Sequence, residues 1–381
     1  MDNLMLTKID RRTFLRRTAA AAGTLSAGGL IHGLSTTAAA KTDSTFAPNA
    51  FRHIATNGDT TLWCGRCEMG QGISTSLPSA VADELEADWS RVAIFQGDAD
   101  EKYGPQATGG SRSINIMLEP MRQAGAAGRE MLIAAAAATW AVPAAECEAR
   151  NHFVHHKASD RQLGYGELAA TAAEQPVPET PKLKSREEFR YIGKSLQRHD
   201  QGAVVVGERV YGADTVVPGM KYGAVAHVPV LGGAVKSVDT SGLGDLADRV
   251  QVVTIDRLER PYGSLGAVGV VADNTWIAQQ ALDRLEIEWD RGPNAVYNTD
   301  TYKAELVERV AAPGASVYER GNVDEALESA AVSHAATYVG GHLSHSPMEP
   351  MASCVDVGED HCEVWASTQD PVGIQNTLCL L

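Results

Sequence analysis

The sequence predicts an α+β protein with more than one domain. A strand at Arg91–Gly97 precedes a long helical segment, about Leu118–Trp140, that contains a run of alanines. Residues 203–292 instead carry short β-rich runs with a single helix, which is typical of a compact α+β domain. The proline-rich stretch Gln175–Pro181 separates the two regions and predicts a domain boundary. A chain of 381 residues is long enough for two or three such domains.

Before this boundary, hydrophobic periodicity and turn residues predict both helices and strands. In chain order they are a loop leading into an edge strand over residues 41–60, a helix at Ser76–Ala87, the strand Arg91–Gly97, the long helix, a hairpin around Phe153–Leu163 and a helix at Tyr165–Ala173. The glycine-rich stretch Asp98–Arg112 is predicted to be a loop, and its length suggests a function.

After the boundary, β-rich runs predict most of the elements. They are Ala203–Val206, Lys221–His227, Val235–Val238, Gln251–Ile255, Ala267–Ala272, a helix at Asn274–Arg284, a strand at Leu285–Trp289, a helix at Thr301–Ala311, and strands around Ala335–Gly340 and His361–Ala366. His342 and His345 alternate with other residues in a pattern that predicts a half-buried strand, with hydrogen-bonded histidines rather than metal ligands.

The composition is that of an ordinary globular protein with an acidic balance. Apolar residues make up 44% and charged residues 21% of the chain, and the formal net charge is −15. A nucleic-acid-binding protein needs a basic face that neutralises phosphates, and no run of Lys or Arg occurs outside the N-terminus. Nucleic acid is therefore excluded as a partner.

The first forty residues are predicted to be a twin-arginine signal peptide. Arginine pairs at Arg11-Arg12 and Arg16-Arg17 precede a mildly apolar stretch, Ala19–Leu34, and the small residues Ala38–Ala40 form a cleavage site. The stretch is too short and too weakly apolar for an integral membrane span. We therefore expect export of the folded protein to the bacterial periplasm.

Among the six cysteines, Cys64-Gly-Arg-Cys67 is the pair closest in sequence. Glu68 follows it where a haem-attachment site requires His, and no second pair lies at zinc or iron–sulfur spacing. The two cysteines are either incidental or form a local disulfide.

The segment Gly70-Gln71-Gly72 lies between an apolar run and a predicted helix. Its glycines let backbone amides approach a bulky anionic ligand, and the glutamine amide can bind the ligand's polar edge. Such a loop is also typical of a plain strand-to-helix turn. In the same way, Thr108–Ser113 taken alone predicts a turn, and Ser367-Thr368-Gln369 taken alone predicts a helix N-cap.

Taken together and in this order, the motifs resemble the molybdenum-binding subunit of the xanthine dehydrogenase and aldehyde oxidase family. The resemblance is greatest to the branch of isoquinoline 1-oxidoreductase beta subunits. The segments that carry it are Glu68–Gly72, Thr108–Ser113, Ala124–Leu132, Tyr211–Asp214 with Pro218–Met220, His345–Pro350 and Ser367–Gln369. It implies a signal peptide at 1–40, an N-terminal molybdopterin-binding segment at 41–200, an α/β hammerhead domain at 201–292 and the start of the main molybdopterin-binding domain at 293–381.

The resemblance also implies a cofactor and its binding residues. The cofactor is molybdenum held by a molybdopterin, in its cytosine dinucleotide form, without a bond from the protein to the metal. The implied cofactor-binding residues are Gly70, Gln71, Gly72, Thr108, Gly110, Ser111 and Ser113. Gln369 is the implied catalytic residue beside the metal, whereas Glu349 is expected to be structural.

The implied reaction is the hydroxylation of aldehydes or nitrogen heterocycles with water. Electrons then leave through iron–sulfur clusters on a small [2Fe-2S] partner subunit. The family's general-base glutamate and its Gly-Gly-Gly-Phe-Gly stretch fall beyond residue 381, so we expect a truncated chain that is inactive without its missing C-terminal half. The alternative is a non-catalytic protein, either truncated or one half of a split subunit, that acts as a binding partner.

Overall fold

A computed structural model describes residues 46–49, 51–258 and 263–379, which form two compact units. The first unit contains the described residues up to Thr215 together with those from Pro347 onward, and the second contains Val216–Ser346. Both units combine helices with small sheets, which confirms the α+β class. The predicted signal peptide at 1–40 lies outside the described residues, and the predicted domain limits stay predictions.

The first unit is built on a four-stranded sheet in the order β1-β2-β3-β4. Its strands are β1 (Phe46–Asn49), β2 (Arg52–Ile54), β3 (Thr60–Cys64) and β4 (Val92–Gln96). Strands β3 and β4 are parallel, whereas the other pairs are antiparallel. A parallel pair needs a crossover connection, which helix α1 (Ile73–Glu84) provides. The predicted strand at Arg91–Gly97 and the helix before it are confirmed.

Helix α2 (Ser113–Trp140) packs across α1. The predicted long helix is confirmed, but it begins at Ser113, five residues before the predicted Leu118. The two helices approach closely at Gly125, where an added Cβ would lie 2.5 Å from the carbonyl oxygen of Val81. This contact places the N-termini of both helices on the same side of the unit, where they line one cavity.

A three-stranded antiparallel sheet follows α2 and leads into helix α3 (Tyr165–Ala173). Its strands are β5 (Cys147–Arg150), β6 (Phe153–His156) and β7 (Arg161–Gly164). The predicted hairpin and the predicted helix are both confirmed. Tyr165 is fully buried, and its hydroxyl donates to the carbonyl oxygen of Leu85 at 2.6 Å, which joins α3 to the end of α1.

The segment after the proline-rich stretch is held against α1 by two fully buried carboxylates, Asp83 and Glu84. Asp83 accepts from the backbone N–H groups of residues 190–192 at 2.8–3.2 Å. Glu84 forms ion pairs with Arg122 at 2.7 Å and with Arg129 at 3.2 Å. Buried charges are stable only when they are paired and hydrogen-bonded, so this network fixes residues 182–192 as a wall beside the two helices.

The second unit contains the predicted β-rich runs. Its elements are β8 (Tyr222–His227), β9 (Ala234–Asp239), β10 (Val250–Ile255), β11 (Ala267–Ala272), α5 (Thr275–Asp283), β12 (Glu286–Asp290), α6 (Thr299–Val310) and α7 (Val323–Glu328). Strands pair in the order β10-β11-β8, and β12 pairs with β9. A core that includes Val268, Val270 and Ala278 lies between the three-stranded sheet and α5. The predicted elements from Lys221 to Trp289 are confirmed.

Two strand predictions are wrong. Ala203–Val206 belongs to a short helix, α4 (Gln201–Val206), which ends at Gly207 in a left-handed conformation. Val204, Val205 and Val206 are exposed there, and β-branched residues favour strands only where a neighbouring strand lets them pack. Residues 335–340 form no strand for the same reason, since no described strand pairs with them.

The half-buried strand predicted around His342 and His345 is also wrong, since both residues are exposed and lie outside any strand. The predicted hydrogen bonding is confirmed for His342, whose Nδ1 lies 3.2 Å from the hydroxyl oxygen of Tyr297. His342 stacks on Tyr297 with an interplanar angle of 8°, so an exposed aromatic contact replaces the expected half-buried strand.

The chain returns to the first unit with a hairpin and a helix. The hairpin consists of β13 (Ser353–Val357) and β14 (Cys362–Ala366), and helix α8 (Pro371–Leu378) follows. The strand predicted at His361–Ala366 is confirmed. Asp370 caps α8 by accepting from Gly373 N at 3.0 Å, so Ser367 and Thr368 are not its N-cap.

Candidate functional site

Two of the predicted cofactor segments meet at Thr108, and Cys67, the residue directly before a third segment, also contacts it. Its backbone N–H donates to the carbonyl oxygen of Gln369 at 2.7 Å, and Gln369 Nε2 donates to the carbonyl oxygen of Thr108 at 2.6 Å. The Thr108 hydroxyl accepts from the backbone N–H of Cys67 at 3.0 Å. Residues that are 261 positions apart in sequence are therefore neighbours, as a shared ligand site requires.

The Gly70-Gln71-Gly72 loop is closed by its own glutamine. Gln71 Oε1 accepts from Met69 N at 2.7 Å, and its Nε2 donates to the carbonyl oxygen of Cys67 at 3.0 Å. Gly70 and Gly72 adopt left-handed conformations, with φ of 97° and 83°, which favour glycine. The loop thus lies beside Thr108 with Gly70 and Gln71 exposed.

Glu68 supplies the anion at the N-terminus of α1. Its Oε1 accepts from Gly70 N at 2.8 Å and from Gly72 N at 2.9 Å. Its Oε2 accepts from the N–H and the hydroxyl of Ser74 at 2.9 and 2.7 Å. The amides that the sequence offers to a cofactor therefore already have a partner inside the chain. The assignment of Gly70, Gln71 and Gly72 to a cofactor stays a prediction.

Residues 198–200 form hydrogen bonds with the Gly70-Gln71-Gly72 loop and with the first turn of α1. Arg198 Nη1 donates to the carbonyl oxygen of Gly70 at 3.2 Å, and Arg198 is paired with Asp200 at 2.8 Å. The backbone N–H of His199 donates to Thr75 Oγ1 at 3.2 Å. These contacts cannot be read from the sequence, because nothing local links residue 198 to residue 70.

The N-terminus of α2 has no such carboxylate. Gly110 and Ser111 precede it with φ of 59° and 56°, and Arg112 occupies the N-cap position. No side chain caps this end, and its first turn contains no acidic residue. Ser111 is exposed and Ser113 is half-buried. The positive end of a 28-residue helix therefore remains without a neutralising group from its own first turn or cap.

Arg66 lies beneath the loop that leads to α2, and its side chain is only 1% exposed. Nη1 donates to the carbonyl oxygen of Ala107, whereas Nε and Nη2 have no hydrogen-bond partner among the described residues. Burial, and then the nearby Arg112 guanidinium, lower the pKa of Arg66 below its ordinary value. In the sequence, only the two cysteines of Cys64–Cys67 signal a function, and nothing local marks Arg66 as buried.

The two cysteines beside Arg66 are buried thiols in this structure. Cys64 Sγ donates to the carbonyl oxygens of Arg66 at 3.4 Å and Ile73 at 3.7 Å. Burial raises the pKa of Cys64 to about 11 and also raises the pKa of Cys67. Since the thiolate is the reactive form, these cysteines are poor nucleophiles.

Glu349 has the structural role that the sequence predicts. Its carboxylate accepts from the backbone N–H of Gly212 at 3.2 Å and from the hydroxyl of Ser367. It therefore positions the segment that leads to Gln369.

Two cavities adjoin these loops. The first, of about 330 Å³, is lined by Gly72, Thr75, Ser76, Ser79, Ile114, Leu118, Leu196, Arg198 and residues 191–194. The second, of about 430 Å³, is lined by Glu101, residues 104–107, Asp370, Val372, Gly373 and Asn376. The first cavity thus lies between the N-termini of α1 and α2, and the second lies beside the loop over Arg66. Within the described ranges, no three His, Cys, Asp or Glu side chains are grouped so that they could hold a metal ion.

A family model described as a molybdopterin cofactor-binding domain matches residues 7–217, more than half of the chain. The chain belongs to this family. A second model of the same description matches residues 306–381 of this molybdopterin-binding chain. The segments that meet at Thr108 fall within these two matches. Among the helices that the structure describes, none has the length and apolar character needed to cross a membrane.

Three relatives are 26–30% identical to the molybdopterin-binding chain over the aligned residues. The beta subunit of isoquinoline 1-oxidoreductase of Brevundimonas diminuta is 29% identical over 375 residues, covering 85% of this chain and 47% of that protein. A membrane-bound aldehyde dehydrogenase (pyrroloquinoline-quinone) of Gluconacetobacter polyoxogenes is 30% identical over 338 residues, covering 86% and 43%. The B subunit of nicotinate dehydrogenase of Pseudomonas putida is 26% identical over 330 residues, covering 84% and 27%. The chain therefore spans less than half the length of these relatives, and its similarity to isoquinoline 1-oxidoreductase beta subunits is confirmed.

Solved structures match over a smaller part of the molybdopterin-binding chain. The Cu,Mo-CO dehydrogenase is 23% identical, with a TM-score of 0.28, over 35% of this chain and 17% of that one. Quinoline 2-oxidoreductase from Pseudomonas putida 86 is 21% identical, with a TM-score of 0.29, over 34% and 17%.

Proposed function

We propose that this chain is the molybdopterin-binding part of an oxidoreductase that hydroxylates aldehydes or nitrogen heterocycles with water. Membership of the molybdopterin cofactor-binding domain family supports the cofactor. The relatives named for isoquinoline, aldehyde and nicotinate support the substrate class. One relative is named for a quinone, but the two family models match this chain itself and both describe molybdopterin.

The meeting of these segments at Thr108 is the observation that carries this proposal. A molybdopterin is anionic through its phosphate, so its site needs N–H donors and positive charge. The N-terminus of α2 fits this need, because its first turn contains no acidic residue and no described side chain caps it. When bound, the cofactor would supply the redox chemistry of the reaction.

The predicted site residues would then bind different parts of the cofactor from two loops. Thr108, Gly110, Ser111 and Ser113 would donate backbone and hydroxyl groups to its anionic part at the start of α2. Gly70, Gln71 and Gly72 would contact its uncharged part through their exposed outer surface, since Glu68 occupies the amides of both glycines. Gln369 would lie beside the reacting part, and its hydrogen bonds to Thr108 fix its position.

The remaining parts of the proposal rest on the resemblance and on the motifs. The pterin carries a cytosine dinucleotide, and a small [2Fe-2S] subunit accepts the electrons; two relatives named as subunits support a partner chain. The twin-arginine pattern in residues 1–40 supports a periplasmic location. The inactivity of the chain by itself also rests on the resemblance alone.

Cofactor analysis of the purified chain tests this proposal. Produced in a bacterium that makes molybdopterin, the chain should retain molybdenum, measured by plasma mass spectrometry, and pterin, measured by fluorescence after oxidation. Thr108→Val removes the acceptor of Cys67 N and should lower both contents. Thr139→Val, which removes a hydroxyl near the far end of α2, should leave them unchanged. A folded wild-type chain that holds neither molybdenum nor pterin contradicts the proposal.

A further inference from the structure

Arg66 is a buried cation that the proposed roles of the loops leave without a partner. Its Nε and Nη2 make no hydrogen bond within the described ranges, and no described carboxylate lies at ion-pair distance. Burying an unpaired charge is strongly unfavourable, so buried charges in proteins are normally paired. The free Nε–Nη2 edge is also the edge with which a guanidinium binds two oxygens of one oxyanion.

Arg112 brings a second positive charge to the same place. Its guanidinium lies near enough to Arg66 to help lower the pKa of that side chain, and it forms no ion pair with a described residue. Arg112 is also the N-cap residue of α2, where the helix dipole adds partial positive charge. Among the described residues no ion pair neutralises either arginine, and in a chain whose net charge is −15 this clustering of positive charge marks a site for an anion.

We infer that Arg66 and Arg112 bind the phosphate of the cofactor at the N-terminus of α2. The identity of the anion rests on the proposed function, whereas the anion site itself rests on the two arginines. Arg66 would donate two hydrogen bonds from its free edge, and Arg112 would approach from the exposed side. The charged contacts of the site would thus come from two arginines, and not only from the glycine and serine residues of the loop.

The loop over Arg66 controls access to this edge. Nε and Nη2 have almost no exposed surface, and Nη1 is bonded to Ala107 of the loop. The outer surface of that loop is exposed at Ala107, Gly109 and Gly110. Binding of an anion at this edge therefore requires an outward movement of the loop.

Calorimetric titration with inorganic pyrophosphate tests the inference on the full chain, produced in a strain that cannot make molybdopterin. Arg66→Met should bind pyrophosphate about tenfold more weakly than wild type or worse, since a charge-assisted two-oxygen contact is lost. Arg52→Met is the matched control. Arg52 is also fully buried with its nitrogens unpartnered, but it packs on the ring of Phe46 and against Gly128. Its substitution should leave pyrophosphate affinity unchanged.

Thermal unfolding separates this role from a merely structural one. Arg66→Met removes an unpaired buried charge, so its Tm should stay the same or rise while its affinity for pyrophosphate falls. A structural role predicts the reverse, with a lower Tm and unchanged affinity of the folded protein. Equal affinity in wild type and Arg66→Met, or no binding by wild type, overturns the inference.

Cofactor content, read separately in a strain that makes molybdopterin, distinguishes this inference from the proposed function. A wild-type chain without molybdenum or pterin that still binds pyrophosphate through Arg66 contradicts the proposed function and supports the anion site. A wild-type chain that holds the cofactor, with equal content in Arg66→Met, overturns the role of Arg66.

Discussion

The two helices that meet at the first cavity, α1 and α2, begin in different ways. At α1 the Glu68 carboxylate accepts from the backbone amides of Gly70, Gly72 and Ser74. At α2 no side chain caps the helix, and Arg66 and Arg112 lie near its first residue. Both starts are rich in glycine and serine, yet only α1 receives a carboxylate from its own loop. A glycine-rich loop before a helix therefore indicates an anion site only when the chain does not supply the anion itself.

The largest expected effect comes from removing the internal anion. Glu68→Ala leaves three amides without their charged acceptor, and we expect the free energy of unfolding to fall by about 3 kcal/mol. Glu119→Ala, an exposed carboxylate on α2 that accepts one side-chain hydrogen bond, should change it by less than about 0.5 kcal/mol. Urea unfolding of both variants checks this difference. Equal effects at the two positions contradict the role of Glu68 as a cap.

The pH dependence of stability sharpens the same point. Burial alone raises the pKa of Glu68, but hydrogen bonds from Gly72, Ser74 and Gly70 outweigh it and leave the pKa below its ordinary value. The stabilisation is therefore fully present above the unfolded pKa of about 4.3 and is lost as the pH falls through the lower folded pKa. We expect the stability difference between wild type and Glu68→Gln to be constant near neutral pH and to shrink below about pH 4. A difference that does not change with pH would count against the ionised cap.

A smaller effect is expected from the glycine that opens α1. Gly72 has a φ of 83°, and a Cβ added there would meet open space, so Gly72→Ala should cost about 1 kcal/mol through backbone conformation alone. Gly109 also has open space but lies outside the left-handed region, so Gly109→Ala should cost nothing measurable. Denaturant unfolding of the pair checks this, and a similar loss at both glycines contradicts it.

The smallest effect on stability should come from giving α2 the cap that it lacks. Arg112→Asp places a carboxylate at the N-cap, and we expect stabilisation by about 0.5 kcal/mol in the absence of ligand. The same substitution should abolish pyrophosphate binding, because it removes one cation and supplies a competing anion. Unfolding and titration of one preparation measure both results. If Arg112→Asp stabilises the protein but still binds pyrophosphate, the start of α2 is not the anion site.

The sequence was informative where an element depends on local pattern. The long apolar helix ending at Trp140, the helix Tyr165–Ala173 and the strand runs from Lys221 to Trp289 were all found because their periodicity and turn residues lie close together. Ala203–Val206 failed because a strand needs a neighbour, and no local pattern provides one.

The candidate site was predicted in part. The motifs identified segments that do meet at Thr108, although they lie far apart in sequence. The sequence could not show that Glu68 turns back onto the amides of its own loop, because this depends on two left-handed glycines. Nor could it show that Arg66 is buried without a partner among the described residues, because burial is a property of the packed loop above it.

Hydrogen exchange measured by mass spectrometry, with and without inorganic pyrophosphate, tests the central contrast most directly. Amides at the start of α2, in residues 110–115, should become protected when pyrophosphate is added. Amides at the start of α1, in residues 70–74, should exchange at the same rate in both conditions, because Glu68 already binds them. Protection at residues 70–74 without protection at residues 110–115 would contradict the account.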